Sequence, residues 1–300
     1  MKNKKALSEI IITLVIILLI LTAIIILLVG VKKIPKNQTN DTIIPKINTT
    51  PKNITPPSSG NFELGISFPP LANQQQIDFS IEHLNELGIN KIRIGDDWKL
   101  REESLGNYNW GPLNTRMKAI KDNNLKVLLT IELDAPRTGF TETDFRNYLS
   151  ILLERYPGIY KIQFGNEWDN PEQWTGTKEE YVQYANALYE ETKEHSPSTP
   201  VVLGGITKTW FQYLAGCVEE KPLTFLNAEH EAFLKSKCEG LEPYWQEKES
   251  RITYVLDNAQ YDLVDIHMYD DAENWKFYYN ILKEMVNKPI IATEFGGPHP

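Results

Sequence analysis

Cysteine is nearly absent. Two in 300 residues are too few for a disulfide-dense mini-fold or for a zinc site built from four thiolates. Histidine is also sparse, with His83, His195, His230, His267 and His299 and no His-x-His spelling after the first strand candidate, so no metal centre is expected. Neither Gly-x-Gly-x-x-Gly nor a P-loop follows that strand, which removes the phosphate cradle of the nucleotide-binding open sheets; no cofactor is implied. Excess positive charge is missing too. The chain carries −9, and an acidic surface argues against a nucleic-acid partner, which needs basic groups to displace counterions. What remains is ordinary globular composition, 41% hydrophobic and 24% charged, with enough chain beyond residue 60 for a sizeable core.

Charge is divided unevenly along the chain. Residues 1–60 hold eight lysines against Glu9 and Asp41, a net +6, which leaves −15 on residues 61–300. Within that basic start, Ile10 to Val31 is apolar except for Thr13, Thr22 and Gly30. As a helix it is roughly 33 Å long, enough to cross a hydrocarbon core of about 30 Å, and longer than the apolar core of a cleaved signal peptide. Residues 1–31 therefore read as a signal anchor and single transmembrane helix. Lysines on both flanks orient it only weakly. Lys4-Lys5-Ala6-Leu7-Ser8-Glu9 resembles the class III (prepilin- or archaellin-like) signals, which implies trimming after Ala6; an ordinary uncleaved anchor accounts for the same residues equally well.

Residues 32–60 are rich in Asn, Thr, Pro and Lys without apolar periodicity, and five prolines keep them extended. Sequons begin at Asn37, Asn40, Asn48 and Asn53. Placed after a membrane anchor, they predict a glycosylated stalk that holds residues 61–300 outside the cell.

From residue 61 on, strand and helix patterns alternate. Strand candidates are 63–68, 91–95, 126–131, 161–165, 201–205, 263–268 and 290–293, read as apolar on both faces. Between them lie helical stripes such as Ile77, Ile81, Leu84 and Leu87, or Phe145, Tyr148, Leu149, Leu152 and Leu153. Thr141 reads as an N-cap, and Thr177-x-x-Glu180 spells a capping box. Seven βα repeats predict an α/β chain folded as a (β/α)₈ TIM barrel; no eighth strand is found, so the barrel reads as C-terminally incomplete. Residues 208–260 form a long insertion holding Cys217 and Cys238, expected to pair outside the cell, with two buried thiols as the alternative.

Barrel enzymes carry their reacting groups at the C-terminal ends of strands. The fourth candidate ends Phe164-Gly165-Asn166-Glu167-Trp168, and the seventh ends Thr293-Glu294-Phe295-Gly296-Gly297. Two glutamates projecting into one cavity mouth can protonate a leaving oxygen and attack the carbon it leaves. Each alone reads more blandly: Asn166-Glu167 as a helix cap, Glu294 as a turn residue, His267 as a core histidine, Tyr269 as packing, Arg93 as an ion-pair partner. Their common position at strand ends is what raises them.

In this order and spacing the chain resembles the clan A glycoside hydrolases, cellulase/β-xylosidase-like, over about residues 61–298. Asn166-Glu167 matches that group's Asn-Glu on strand 4, and Glu294 its nucleophile on strand 7. Arg93, His267-Met268-Tyr269 and Gly106-Asn107-Tyr108-Asn109-Trp110 match further pieces. The resemblance implies a retaining hydrolase of O-glycosidic bonds in a poly- or oligosaccharide. Glu167 is then general acid and base, expected to hold its proton to higher pH, and Glu294 is the nucleophile, helped by Arg93 and Tyr269. Asn166, Arg93, His267, Tyr269 and Trp168 form the substrate-binding set, with Trp168 as the favoured stacking ring. Departures stand beside this match: Glu132-Leu133-Asp134 where some branches carry a His, and the missing eighth strand. A non-catalytic carbohydrate-binding or cell-envelope protein on a degenerate barrel is the rival expectation. The acid pairs Asp96-Asp97 and Asp270-Asp271 are expected to be solvated rather than calcium-binding.

Overall fold

The computed structural model describes residues 63–225, 228–239 and 242–296. The expected anchor at Ile10–Val31, the linker and its four sequons lie outside the described residues. Among the described residues no helix is long and apolar enough to cross a membrane.

Elements follow the alternation read in the sequence. In chain order they are β1 (Ile66–Ser67), α1 (Gln74–Glu86), β2 (Lys91–Asp97), α2 (Trp98–Arg101), β3 (Glu102–Ser104), β4 (Asn107–Tyr108), α3 (Gly111–Asp122), β5 (Lys126–Glu132), α4 (Glu142–Arg155), β6 (Lys161–Phe164), α5 (Lys178–His195), β7 (Val201–Ile206), α6 (Lys208–Tyr213), a π-helical turn Leu214–Val218, α7 (Ala228–Cys238), α8 (Glu242–Asn258), β8 (Leu263–Tyr269), α9 (Ala272–Met285) and β9 (Ile290–Gly296). Seven strands make one all-parallel sheet in the order β1-β2-β5-β6-β7-β8-β9, and β3 and β4 form a small antiparallel hairpin. Among the described residues no strand joins β1 to β9, so the barrel is nearly closed.

Side-chain alternation divides the molecule into two layers. Ile92 and Ile94 of β2, Val127, Leu129 and Ile131 of β5, and Ile162 and Phe164 of β6 join the buried apolar cluster that packs against the helices. α4 meets them with Phe145, Tyr148, Leu149 and Leu152, all fully buried. Each such side chain stabilises by about 1.5–3 kcal/mol. Thr141 starts this helix through a capping box with Asp144, and Thr177 starts α5 in the same way with Glu180.

The alternate strand positions are less apolar than the sequence suggested. Arg93, Thr130, Gln163, Asp265 and His267 are buried polar residues joined to one another in the barrel interior. Polar groups shut away from water need such partners, so these five occupy single positions within apolar runs.

The acid pairs also differ from expectation. Asp96 is buried against Arg101, Arg116 and Tyr148, and Asp270 accepts from Gln212 and Tyr278. Asp97 and Asp271 cap α2 and α9. In the insertion, Cys217 and Cys238 form a disulfide across 21 positions of sequence. The buried Lys248 of α8 pairs with Asp169 at 2.8 Å, which fastens the insertion to the loop after β6.

Candidate active site

The site is built from the middle of β2 and the C-terminal ends of β6, β8 and β9. Arg93, 3% exposed, spreads its guanidinium beneath it. Nε donates to Thr130 Oγ1 and Gln163 Oε1, both at 3.0 Å, and Nη2 donates to Asn166 Oδ1 at 2.7 Å. Nη1 donates to Glu294 Oε1. On the other side of that carboxylate, Tyr269 Oη donates to Glu294 Oε2 at 2.8 Å. Each oxygen of Glu294 therefore has its own donor, from different strands. Burial and the Glu294 charge push the Tyr269 phenol up to about 12, so it remains a donor across the neutral range.

Glu167 follows β6 by three residues, with its backbone in the left-handed region at φ 47°. A non-glycine residue there costs on the order of 1–3 kcal/mol, and such strain collects at functional sites. His267 Nδ1 lies 2.9 Å from Glu167 Oε1. Its Nε2 faces Asp265 Oδ2 at 3.3 Å and Glu294 Oε1 at 3.5 Å. Burial by itself would lower the His267 pKa, but hydrogen bonds to Asp265 and Glu167 and the charges of Asp265 and Glu294 raise it to about 10. The ring is a cation at neutral pH and donates from both nitrogens. Asp265 lies below its usual range: burial pushes it up, and His267, Arg93 and Thr293 bring it down further than that.

One ligand atom each of Glu167, His267 and Glu294 falls within 4.8 Å of the other two. That spacing suits a cation, but Arg93 and protonated His267 already supply two positive charges beside these side chains. The same spacing brings two carboxylates close enough to act on one bond.

Glu167, Asn166, Tyr269 and Glu294 are only partly buried. The other three of the expected substrate-binding set are buried. Trp168 is 1% exposed; it stacks on Tyr181 at 4.9 Å and its Nε1 donates to Gly204 O at 2.8 Å, so no ring face is open to a sugar. Arg93 and His267, 3% and 1% exposed, act through the glutamates that they hold. Thr130, Gln163, Asp265 and Thr293 complete the network and escaped the sequence reading. Their one signal was a polar residue inside a strand covered on both faces.

No protein-family model matches the sequence, and no curated protein matches it. Solved structures do. An exo-β-1,4-mannosidase from Opitutaceae bacterium strain TAV5 superposes with a TM-score of 0.50 at 14% identity, covering 78% of this chain and 45% of that one. A psychrophilic glycoside hydrolase family 10 endo-β-1,4-xylanase gives 0.49 at 12% identity, over 79% of this chain and 74% of that one. This chain spans less than half the length of the mannosidase. The likeness read in the sequence and the likeness in structure meet in one fold, a nearly closed parallel β/α barrel of the kind on which clan A glycoside hydrolases are built.

Proposed function

We propose that the chain is a glycoside hydrolase that cleaves O-glycosidic bonds of a poly- or oligosaccharide with retention of configuration. The observation that carries this reading is the approach of Glu167, after the central strand β6, and Glu294, on the outer strand β9, with one carboxylate oxygen of each within 4.8 Å of the other and of a His267 ring nitrogen. Retaining enzymes hold their carboxyl groups about 5–5.5 Å apart, whereas inverting ones need about 6.5–9.5 Å to admit a water. In the first step Glu167 gives its proton to the glycosidic oxygen while Glu294 attacks the anomeric carbon. The carbon–oxygen bond breaks, and a glycosyl ester forms on Glu294. In the second step the Glu167 carboxylate takes a proton from a water that attacks the same carbon, and Glu294 leaves. Arg93 and Tyr269 orient the Glu294 carboxylate, and Asn166, fixed by Arg93, is placed to donate to a sugar hydroxyl.

Glu167→Gln should lower kcat by about 10²–10⁴-fold, with less loss on aryl glycosides whose leaving group needs no proton. Glu294→Gln should cost at least about 10³-fold on every substrate. Proton NMR of the first-formed anomer reads the stereochemistry. Release of the inverted anomer, or turnover unaffected by both substitutions, would remove the mechanism.

A non-catalytic carbohydrate-binding protein is favoured by one observation, the unpaired edges of β1 and β9 among the described residues. Equal, low turnover by the wild type and both variants would select it.

The reading extends to location: a single-pass anchor at residues 1–31, a glycosylated stalk at 32–60, and the barrel outside the cell. The apolar run and the sequons support it. The full chain should stay with membranes through a carbonate wash and lose that retention when residues 1–31 are deleted. Asn→Gln changes at 37, 40, 48 and 53 should lower the apparent mass.

A further inference from the structure

A cavity of about 500 Å³ opens at the same end of the sheet as the two glutamates, where β7 and β8 end. Its size falls within the roughly 300–1,000 Å³ of small-molecule sites. The insertion supplies most of its wall, and Asp270, which directly follows Tyr269, joins it to the catalytic cluster. Two aromatic rings in that wall, Phe233 and Tyr244, are left 59% and 42% exposed. Flat apolar faces of this kind suit the apolar face of a sugar ring. Behind them Trp245 is fixed, stacked on Tyr213 at 4.3 Å and bonded through Nε1 to Lys237 O at 2.8 Å. Lys237 precedes Cys238, so the disulfide holds this part of the wall in place.

The charge of the cavity runs against that of the molecule. Residues 61–300 carry −15, yet Lys208 and Lys237 both line this space. Lys208 is half-buried and makes no hydrogen bond or ion pair among the described residues. Lys237 lies 4.8 Å over the Phe233 ring without an acidic partner among them. The one acid in the lining, Asp270, is already engaged, its Oδ2 by Gln212 at 2.8 Å and by Tyr278, its Oδ1 by the Asp271 N–H. Two ammonium groups thus line a sugar-sized space against one carboxylate, Asp270, whose oxygens are turned to neutral donors, so positive charge is in excess there. On the opposite flank, beside Asn166, a smaller cavity of about 210 Å³ is lined by Asp97, Glu132 and Asp134. An anion would be repelled from it.

We propose that the cavity at the ends of β7 and β8 is a subsite for a sugar unit bearing a negative charge, carboxylate or sulfate, held by Lys208 and Lys237 and stacked on Phe233 and Tyr244. The acidic cavity then takes a neutral unit, so an acidic oligosaccharide crosses the two glutamates in one direction. The proposal rests on the glycosidase reading and names its substrate class.

The test is calorimetric titration of the full chain carrying Glu294→Gln, which binds without turnover. Three tetrasaccharides of one linkage serve as probes: neutral glucose units, the same with a terminal glucuronate, and the same with a terminal sulfate ester. At low salt one anionic probe should bind at least about tenfold tighter than the neutral one. That advantage should shrink as salt is raised. Lys208→Met with Lys237→Met should abolish it, and Arg at both positions should keep it. The stronger anionic arm identifies the charged group. Equal or weaker binding of both anionic probes overturns the proposal, as does an advantage indifferent to salt or one that survives the Met pair. Salt dependence in the Glu294→Gln chain alone decides the matter if the Met pair fails to fold. A chain that binds the anionic probe but hydrolyses nothing would refute the mechanism and leave the subsite standing.

Discussion

His267 has both ring nitrogens directed at carboxylate oxygen, Nδ1 at Glu167 and Nε2 at Asp265, with almost no surface open to water. Its folded pKa of about 10 lies above the unfolded 6.5, so the ring contributes stability that is whole below about pH 6.5 and gone above about pH 10. Unfolding free energy should fall through that window by on the order of a few kcal/mol. Asp265 acts in the opposite sense: its contribution is present above the unfolded 3.8 and is lost as pH falls through its lowered folded value. Denaturant melts at pH 6, 8 and 10 on the wild type and on His267→Gln check this. The variant should be less stable at pH 6 and show a shallower alkaline decline. An unchanged slope would assign the decline to other groups.

Strand β7 is where an element makes room for that ring. A Cβ at Gly205 would sit 2.1 Å from His267 Nε2, and one at Gly204 would sit 2.4 Å from the Phe164 carbonyl oxygen. His267 is held by two acids and the Phe164 carbonyl belongs to β6, so neither neighbour yields cheaply. Gly205→Ala should destabilise the fold by about 1–3 kcal/mol, and kcat should fall because the ring that orients Glu167 is displaced. Wild-type kcat and an unshifted melt in that variant would mean that the ring moves freely. Such close approaches could not be read from the sequence, where Val201–Gly205 is simply an apolar run. That same property made the strands legible. The run 126–131 appears as Lys126–Glu132, and 263–268 as Leu263–Tyr269, because strands covered by helices must be apolar on alternate positions. Glu167 and Glu294 were legible for a related reason, as charged residues at the ends of such runs. The left-handed backbone at Glu167 leaves no mark in composition or spacing. Trp168 misled because an aromatic beside Glu167 looks the same in sequence whether its ring faces solvent or core.

Across the whole molecule, burial falls from the middle of the sheet to its edges. All six residues of β7 are buried, whereas β1 has two partly buried residues and β9 has none that is fully buried. Between those outer strands lies a largely apolar space of about 550 Å³, bordered by Leu64, Met268, Trp275, Ile291 and Phe295. Strands with fewer buried contacts open at lower free energy. Amide hydrogen exchange should therefore be fastest in β1 and β9 and slowest in β5, β6 and β7. Glu294, the proposed nucleophile, belongs to one of these outer strands, β9. The ties of β9 to the rest include pairing with β8, the ion pair with Arg93 of β2, the contacts of Glu294 with Tyr269 and His267 of β8, and the hydrogen bonds from Thr293 to Asp265. Arg93→Met should accordingly accelerate exchange in β9 far more than in β6, and a bound oligosaccharide spanning both glutamates should slow it there. Uniform protection of all seven strands would show instead that another segment covers the β1 and β9 edges, and the Arg93 tie would then be one support among several.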